Sequence, residues 1–190
     1  MKTFIQERND FQKHIIEQLK NSNGYLVRNA KTDYDKNFAM DPSLLFRFLD
    51  ETQPDEMAAF RKIHKDASNK ILIECINAQI VQKGLVSVLK TGIELSKGHK
   101  IYLMFTKPAS KMNPKLTTLY DNNIFSVMEE VVISDKERID LVVFLNGLAI
   151  ISFELKSNAS GQSVDDAVEQ YRTQRDPKNR LFLFKAGTLV

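Results

Sequence analysis

The stretch IDLVVFLNGLAIISFELKS, Ile139 to Ser157, decides the architecture. It consists of two apolar runs rich in Val, Ile, Leu and Phe, joined at Asn146-Gly147, a dipeptide that accepts the positive φ angles of a tight hairpin. Three charges interrupt it: Asp140 near the start of the first strand, and Glu154 and Lys156 near the end of the second. A charge in a nearly continuous apolar hairpin is costly to bury unless it is paired or binds an ion. Strand side chains alternate faces, so Glu154 and Lys156 point one way and Leu155 the other. Asp140 joins them only under one parity. With a regular two-residue turn, Leu145 pairs with Leu148 and Asp140 falls opposite Phe153, on the wrong face. A three-residue loop or a bulge restores Asp140 opposite Glu154. The site therefore predicts an odd loop or a bulge, and a regular two-residue hairpin would count against it.

Working outward, further strands are expected at Tyr25–Arg28, Leu85–Leu89, Lys100–Thr106, Phe125–Ile133 and Arg180–Phe184, separated by Gly, Pro, Asn and Ser clusters. The hairpin itself supplies Ile139–Leu145 and Ala149–Lys156. Ser163 caps a helix with Val164, Ala167, Val168 and Tyr171 at i, i+3, i+4 and i+7. Strand, helix, strand implies a crossover, so the expected fold class is α/β, a mixed central β-sheet flanked by helices. At the N-terminus Phe4–Asn21 reads as an amphipathic helix burying Phe11, Ile15, Ile16 and Leu19. A polar loop from Asn29 to Met40 leads to Asp41-Pro42, an N-cap followed by a first-turn proline, with Leu44, Leu45, Phe48 and Leu49 on the helix that follows. Two more helices are expected at Thr52–Lys65 and Ser68–Lys83, so that about 38–84 forms a helical insertion or small lobe within one domain spanning 1–190.

The 190 residues, 43% hydrophobic and 27% charged, describe an ordinary globular chain with room for a substantial core. The net charge of +3 permits nucleic acid as a partner without arguing for it. A single cysteine, Cys75, rules out an internal disulfide and a cysteine-based zinc cage, and points to a reducing cytoplasm. Its apolar neighbours predict a buried helical thiol. No apolar run approaches the ~20 residues of a membrane span, so no membrane partner is expected. The end of the chain, directly after the strand-like LFLFKAGTLV, reads as a cut from a longer polypeptide.

Asp140 and Glu154 on adjacent strands offer oxygen ligands to a hard divalent cation, and the Leu155 carbonyl offers a third; this is the donor chemistry of magnesium. Such an ion polarises a phosphate oxygen and makes water a better acid. Lys156 then fits as the group that orients water and neutralises charge, an arrangement for cutting phosphodiesters. The bland alternative is an ion pair at a sheet rim. An acid-x-lysine tripeptide arises by chance ~2 times in such a chain, and Asp176-Pro177-Lys178 is a second copy, disqualified by its proline and its place after the helix.

The hairpin, followed by DDAVEQYRTQRDPKNRLFLF and preceded by Tyr120–Val127, resembles the N-terminal nuclease domain of the restriction (R) subunit of type I restriction enzymes, a branch of the PD-(D/E)XK nucleases. The resemblance implies a magnesium-dependent endonuclease for double-stranded DNA, with manganese as a possible substitute. It makes Asp140 and Glu154 metal ligands, with the Leu155 carbonyl, and Lys156 the catalytic lysine. Gln170 matches the glutamine of the family's Q-x-x-x-Y motif, but Gln174 stands where the tyrosine belongs and the tyrosine is Tyr171. An acid of the first helix, Glu7 or Glu17, is a further candidate in related nucleases. The family also implies modification and specificity subunits as partners, and an ATP-driven motor. No G-x-x-x-x-G-K-[ST] sequence occurs here, so ATP belongs to a region outside these residues. Arg172, Arg175, Lys178 and Arg180 are candidate DNA contacts, or else a solvated face among Asp165, Asp166, Glu169 and Asp176. The rival readings are a non-catalytic docking or DNA-binding module on the nuclease fold, and a nuclease directed at DNA junctions or ends.

Overall fold

The computed structural model describes residues 4–95, 98–110, 112–134, 137–155, 169, 173, 176 and 178–183, with side chains from Asn9 onward. Helix α1 (Phe4–Asn23) leads to strand β1 (Leu26–Arg28), then helices α2 (Pro42–Thr52), α3 (Pro54–His64), α4 (Ser68–Lys83) and α5 (Leu85–Thr91). Short strands β2 (Ile93–Glu94) and β3 (Lys100–Ile101) pair antiparallel with each other. After α6 (Pro114–Asp121) come β4 (Phe125–Val132), β5 (Arg138–Leu145) and β6 (Leu148–Phe153). The main sheet has the order β1-β4-β5-β6; β1 runs parallel to β4 and the other pairs are antiparallel, so the sheet is mixed. Among the described residues no single helix is long and apolar enough to cross a membrane.

Each face of the sheet has its own cover. Ile15, Ile16 and Leu19 of α1 pack on Val127, Leu141 and Val143, while Ala30, Tyr34, Ala39, Leu181 and Phe182 cover Met128, Val142 and Phe144 on the reverse. The four helices α2–α5 form a third layer that closes on Leu145 and Leu148, at the end of the hairpin. Asp41 fixes that layer to the sheet. Its carboxylate, fully buried, caps α2 by accepting from the Leu44 amide at 3.1 Å and takes Arg28 Nε at 2.8 Å, while its own amide donates to Gly147 O.

The turn is equally tied. Asn146 (φ 50°) and Gly147 (φ 79°) give the paired left-handed residues of a two-residue hairpin turn. The Asn146 side chain, wholly buried, accepts from the Ile124 amide at 2.6 Å and donates to Leu103 O at 2.9 Å.

Several sequence expectations are corrected. Leu85–Leu89 is helical, bracketed by Gly84 (φ 84°) and Gly92 (φ 74°), and buries Leu85, Val88 and Leu89 at i, i+3 and i+4 in the helical core. Lys100–Thr106 shrinks to a two-residue strand in the separate small sheet. Arg180 to Phe182 is turn, not strand, and Phe184 lies outside the described residues. Phe11 is 53% exposed, because the α1 stripe that meets the sheet is Gln12, Ile15, Ile16 and Leu19. Cys75 is only half-buried, its thiol reaching toward Glu94 O at 3.8 Å. The helix from Ser163 falls largely outside the described residues; Glu169 and Thr173 are helical and joined by a Thr173 Oγ1 to Glu169 O hydrogen bond of 2.7 Å.

Two glycines with similar φ separate strain from crowding. A Cβ on Gly24 (φ 70°) meets nothing, whereas one on Gly147 would stand 2.8 Å from the Leu45 nitrogen and closer still to Asp41 O. Gly24→Ala should cost about 1 kcal/mol, the price of φ alone, and Gly147→Ala on the order of 3 kcal/mol. Equal denaturation midpoints for the two variants would refute the close approach of α2 to the turn.

Candidate functional site

The β5–β6 register carries the parity that the paired acids need. Leu145 pairs with Leu148 and Phe144 with Ala149, but Val143 pairs with Ile151, so Ile150 is an extra residue on β6. Beyond it the pairs are Val142 with Ser152 and Leu141 with Phe153, and the next position in that register sets Asp140 opposite Glu154. The loop itself has the two residues of a regular hairpin. The bulge does what the loop does not.

Asp140 is 4% exposed and its Oδ2 accepts the Leu155 amide at 2.6 Å, a short, charge-assisted bond that ties the start of β5 to the segment just past β6. Glu154 and Leu155 are half-buried. Lys156 and Gln170 lie outside the described residues, as do Arg172 and Arg175, and Tyr171 and Gln174 with them. Lys178 is exposed in the turn after the helix, its amide bonded to Asp176 Oδ1, and Arg180 turns inward to Asn77 of α4 at 3.4 Å. Glu17 is exposed on α1 and the Glu7 side chain is outside the described set.

The residue of α1 that does reach the sheet is Gln12. It is 4% exposed, its Nε2 donates to Glu129 Oε2 at 3.2 Å, and its Oε1 has no partner among the described residues. The signal was in the sequence, since Gln12 precedes Ile15, Ile16 and Leu19 at helical spacing, but a search for acids passes over an amide.

On β4, Glu129 pairs with Leu141 and Val131 with Ile139, which brackets Glu130 opposite Asp140. Glu130 has φ 53°, and its carboxylate is taken by Arg138 at 3.0 Å. The strand ends at this side of the sheet also carry Arg28, whose guanidinium is held further toward its charged form by the hydrogen bond to Asp41 and by the charges of Asp41 and Asp33, against the opposing effect of burial. Tyr34, edge-on to Phe144 at 6.1 Å, has its hydroxyl pKa raised by burial and then by Asp35, so it stays protonated.

The donor set suits a hard divalent cation. Asp140, buried, and Glu154, half-buried, stand at opposed positions of the β5–β6 register, beside the Leu155 backbone. Among the described residues no group of three or more His, Cys, Asp or Glu could hold a metal, so an ion here would draw on two carboxylates and complete its shell from backbone oxygen and water, as magnesium does.

A mixed four-stranded sheet flanked by helices, with Asp140 and Glu154 at opposed positions of its hairpin register, is compatible with the PD-(D/E)XK nuclease class. The family is narrower. The family described as type I restriction enzyme R protein N terminus matches residues 5–186, and the chain belongs to it. No curated protein and no solved structure matches the chain.

The Asp140 contact has a direct readout. In Asp140→Ala the Leu155 amide should exchange with deuterium at least ~10-fold faster than in the wild type, measured by NMR, because a hydrogen bond to a charged acceptor is worth about 1.5–3 kcal/mol. Unchanged protection would remove Asp140 as the acceptor.

Proposed function

We propose that the chain is the nuclease domain of a type I restriction R subunit and cleaves double-stranded DNA endonucleolytically with magnesium. The observation that carries this reading is the bulge at Ile150, which brings Asp140 into register with Glu154 and onto the Leu155 amide. Membership of the R-subunit family supports it, and implies DNA and the other subunits of a restriction complex as partners.

Asp140, Glu154 and the Leu155 carbonyl would hold the cation; manganese has the same donor preferences. When bound, the ion polarises a phosphate oxygen and makes water a better acid. The chain's own residues supply the rest. Asp140, by accepting from the Leu155 amide, fixes the backbone of the residue that lies between Glu154 and Lys156 in the sequence. Lys156 orients the attacking water and offsets the negative charge gathering on the phosphate. Gln170, which the family resemblance implies, would hold the phosphate or that water. The water oxygen forms a bond to phosphorus, one sugar P–O bond breaks, and the leaving oxygen takes up a proton. Site recognition belongs to the specificity subunit and ATP to the motor region.

Titration of magnesium or manganese, followed by calorimetry, should show binding that weakens at least ~10-fold in Asp140→Ala and in Glu154→Gln. Lys156→Ala should keep the ion and lose cleavage of supercoiled plasmid in the complete restriction complex. Absence of any specific binding by the wild type at millimolar ion would overturn the metal site.

A further inference from the structure

An open groove of ≈ 850 Å³ runs along the ends of β1 and β4 to the start of β5. Four cations line it from three separate segments: Arg28 at the end of β1, Lys31 and Lys36 in the loop that follows, and Arg138 two residues before Asp140. Its two acids are already engaged, Glu129 with Gln12 and Glu130 with Arg138. Arg28 is held by Asp41 and Ser43 and serves as a fixed wall, whereas Lys31 and Lys36 are exposed and form no ion pair among the described residues. The two ends of the groove thus differ. Its loop side offers exposed ammonium groups to an anion, and its sheet side reaches Glu130, the position opposite Asp140.

We propose that this groove carries the phosphate backbone of duplex DNA toward the acid pair, with Lys31 and Lys36 contacting phosphates. The proposal rests on the nuclease reading for its choice of polymer, and it moves the DNA contact from the segment after the last helix to the loop between β1 and α2. A groove of this volume is too large and open for a single small anion. An acidic peptide has no reason to run toward a carboxylate pair, whereas a phosphodiester destined for a cation there does. The contact is with backbone only: flexible lysines at a loop fix a polymer's path without reading its bases.

Fluorescence anisotropy with a labelled 30-base-pair duplex, in buffer free of divalent ions and across a series of salt concentrations, tests it. The Lys31→Ala, Lys36→Ala double variant should bind about tenfold more weakly, and its slope of log affinity against log salt should be shallower by about 2. Lys62→Ala, an exposed lysine of α3 outside the groove, should leave affinity within about twofold of the wild type. Double-variant affinity and slope equal to wild type would overturn the groove, as would a wild type that does not bind the duplex. Magnesium calorimetry on the same double variant separates the two ideas: retained ion binding with lost DNA binding supports the groove, and lost ion binding would show that the substitutions disturbed the site and overturn the assignment of these lysines to phosphate alone.

Discussion

Hairpin parity is the constraint on which this chain's chemistry depends. A two-residue turn pinned at Asn146-Gly147 commits β5 and β6 to a pairing that, continued regularly, would set Asp140 against Phe153. The turn cannot relax to another length. Asn146 is held by Ile124 and Leu103, and Gly147 lies against the start of α2, too close for a side chain. One residue must therefore be absorbed within the strand, and Ile150 is that residue. Its side chain goes to the seam between the helical layer and the α1 face, so the irregularity is filled by apolar packing.

The same anchoring separates the two ends of the sheet. From Leu145 to Asp140 a strand covers about 17 Å. At one end, α2–α5 close an apolar core over the turn; at the other, acids and cations gather at strand ends outside that layer. Asp41 and Arg28 bridge the ends. The aspartate caps α2 and donates its amide to Gly147 O, while the arginine it holds forms a wall of the open groove, so the helical layer is tied to the polar end.

Much of this was legible in the residues. The long strands of the sheet, the Asp41 cap with its proline, and the Gly84 stop all follow from local chemistry, and the structure has them. The parity argument required an irregularity without saying where it would fall, because the choice between a longer loop and a bulge depends on what packs against the turn. Leu85–Leu89 was misread for a related reason. Two valines in a short apolar run favour a strand by propensity, but glycines at positive φ on both sides and a neighbouring helix make one face of α5 more valuable buried than the run is extended. The i, i+4, i+8 stripe of Phe11, Ile15 and Leu19 predicts a buried Phe11, yet that ring is exposed. The helix instead turns Gln12 inward, where its Nε2 donates to Glu129 near the polar end of the sheet.

The row Glu130, Asp140, Glu154 explains why the polar end is built with so many local devices. Like charges at directly opposed positions of a sheet repel, and here three consecutive strands each bring a carboxylate to the same level. Glu130 leaves the row by adopting a left-handed backbone and turning to Arg138. Asp140 turns into the hairpin seam, where the Leu155 amide meets it. Asp140 and Glu154 remain at opposed positions of the β5–β6 register, with Glu130 ion-paired beside them. With Glu130 drawn to Arg138, the repulsion that a third carboxylate would add at this level of the sheet is relieved.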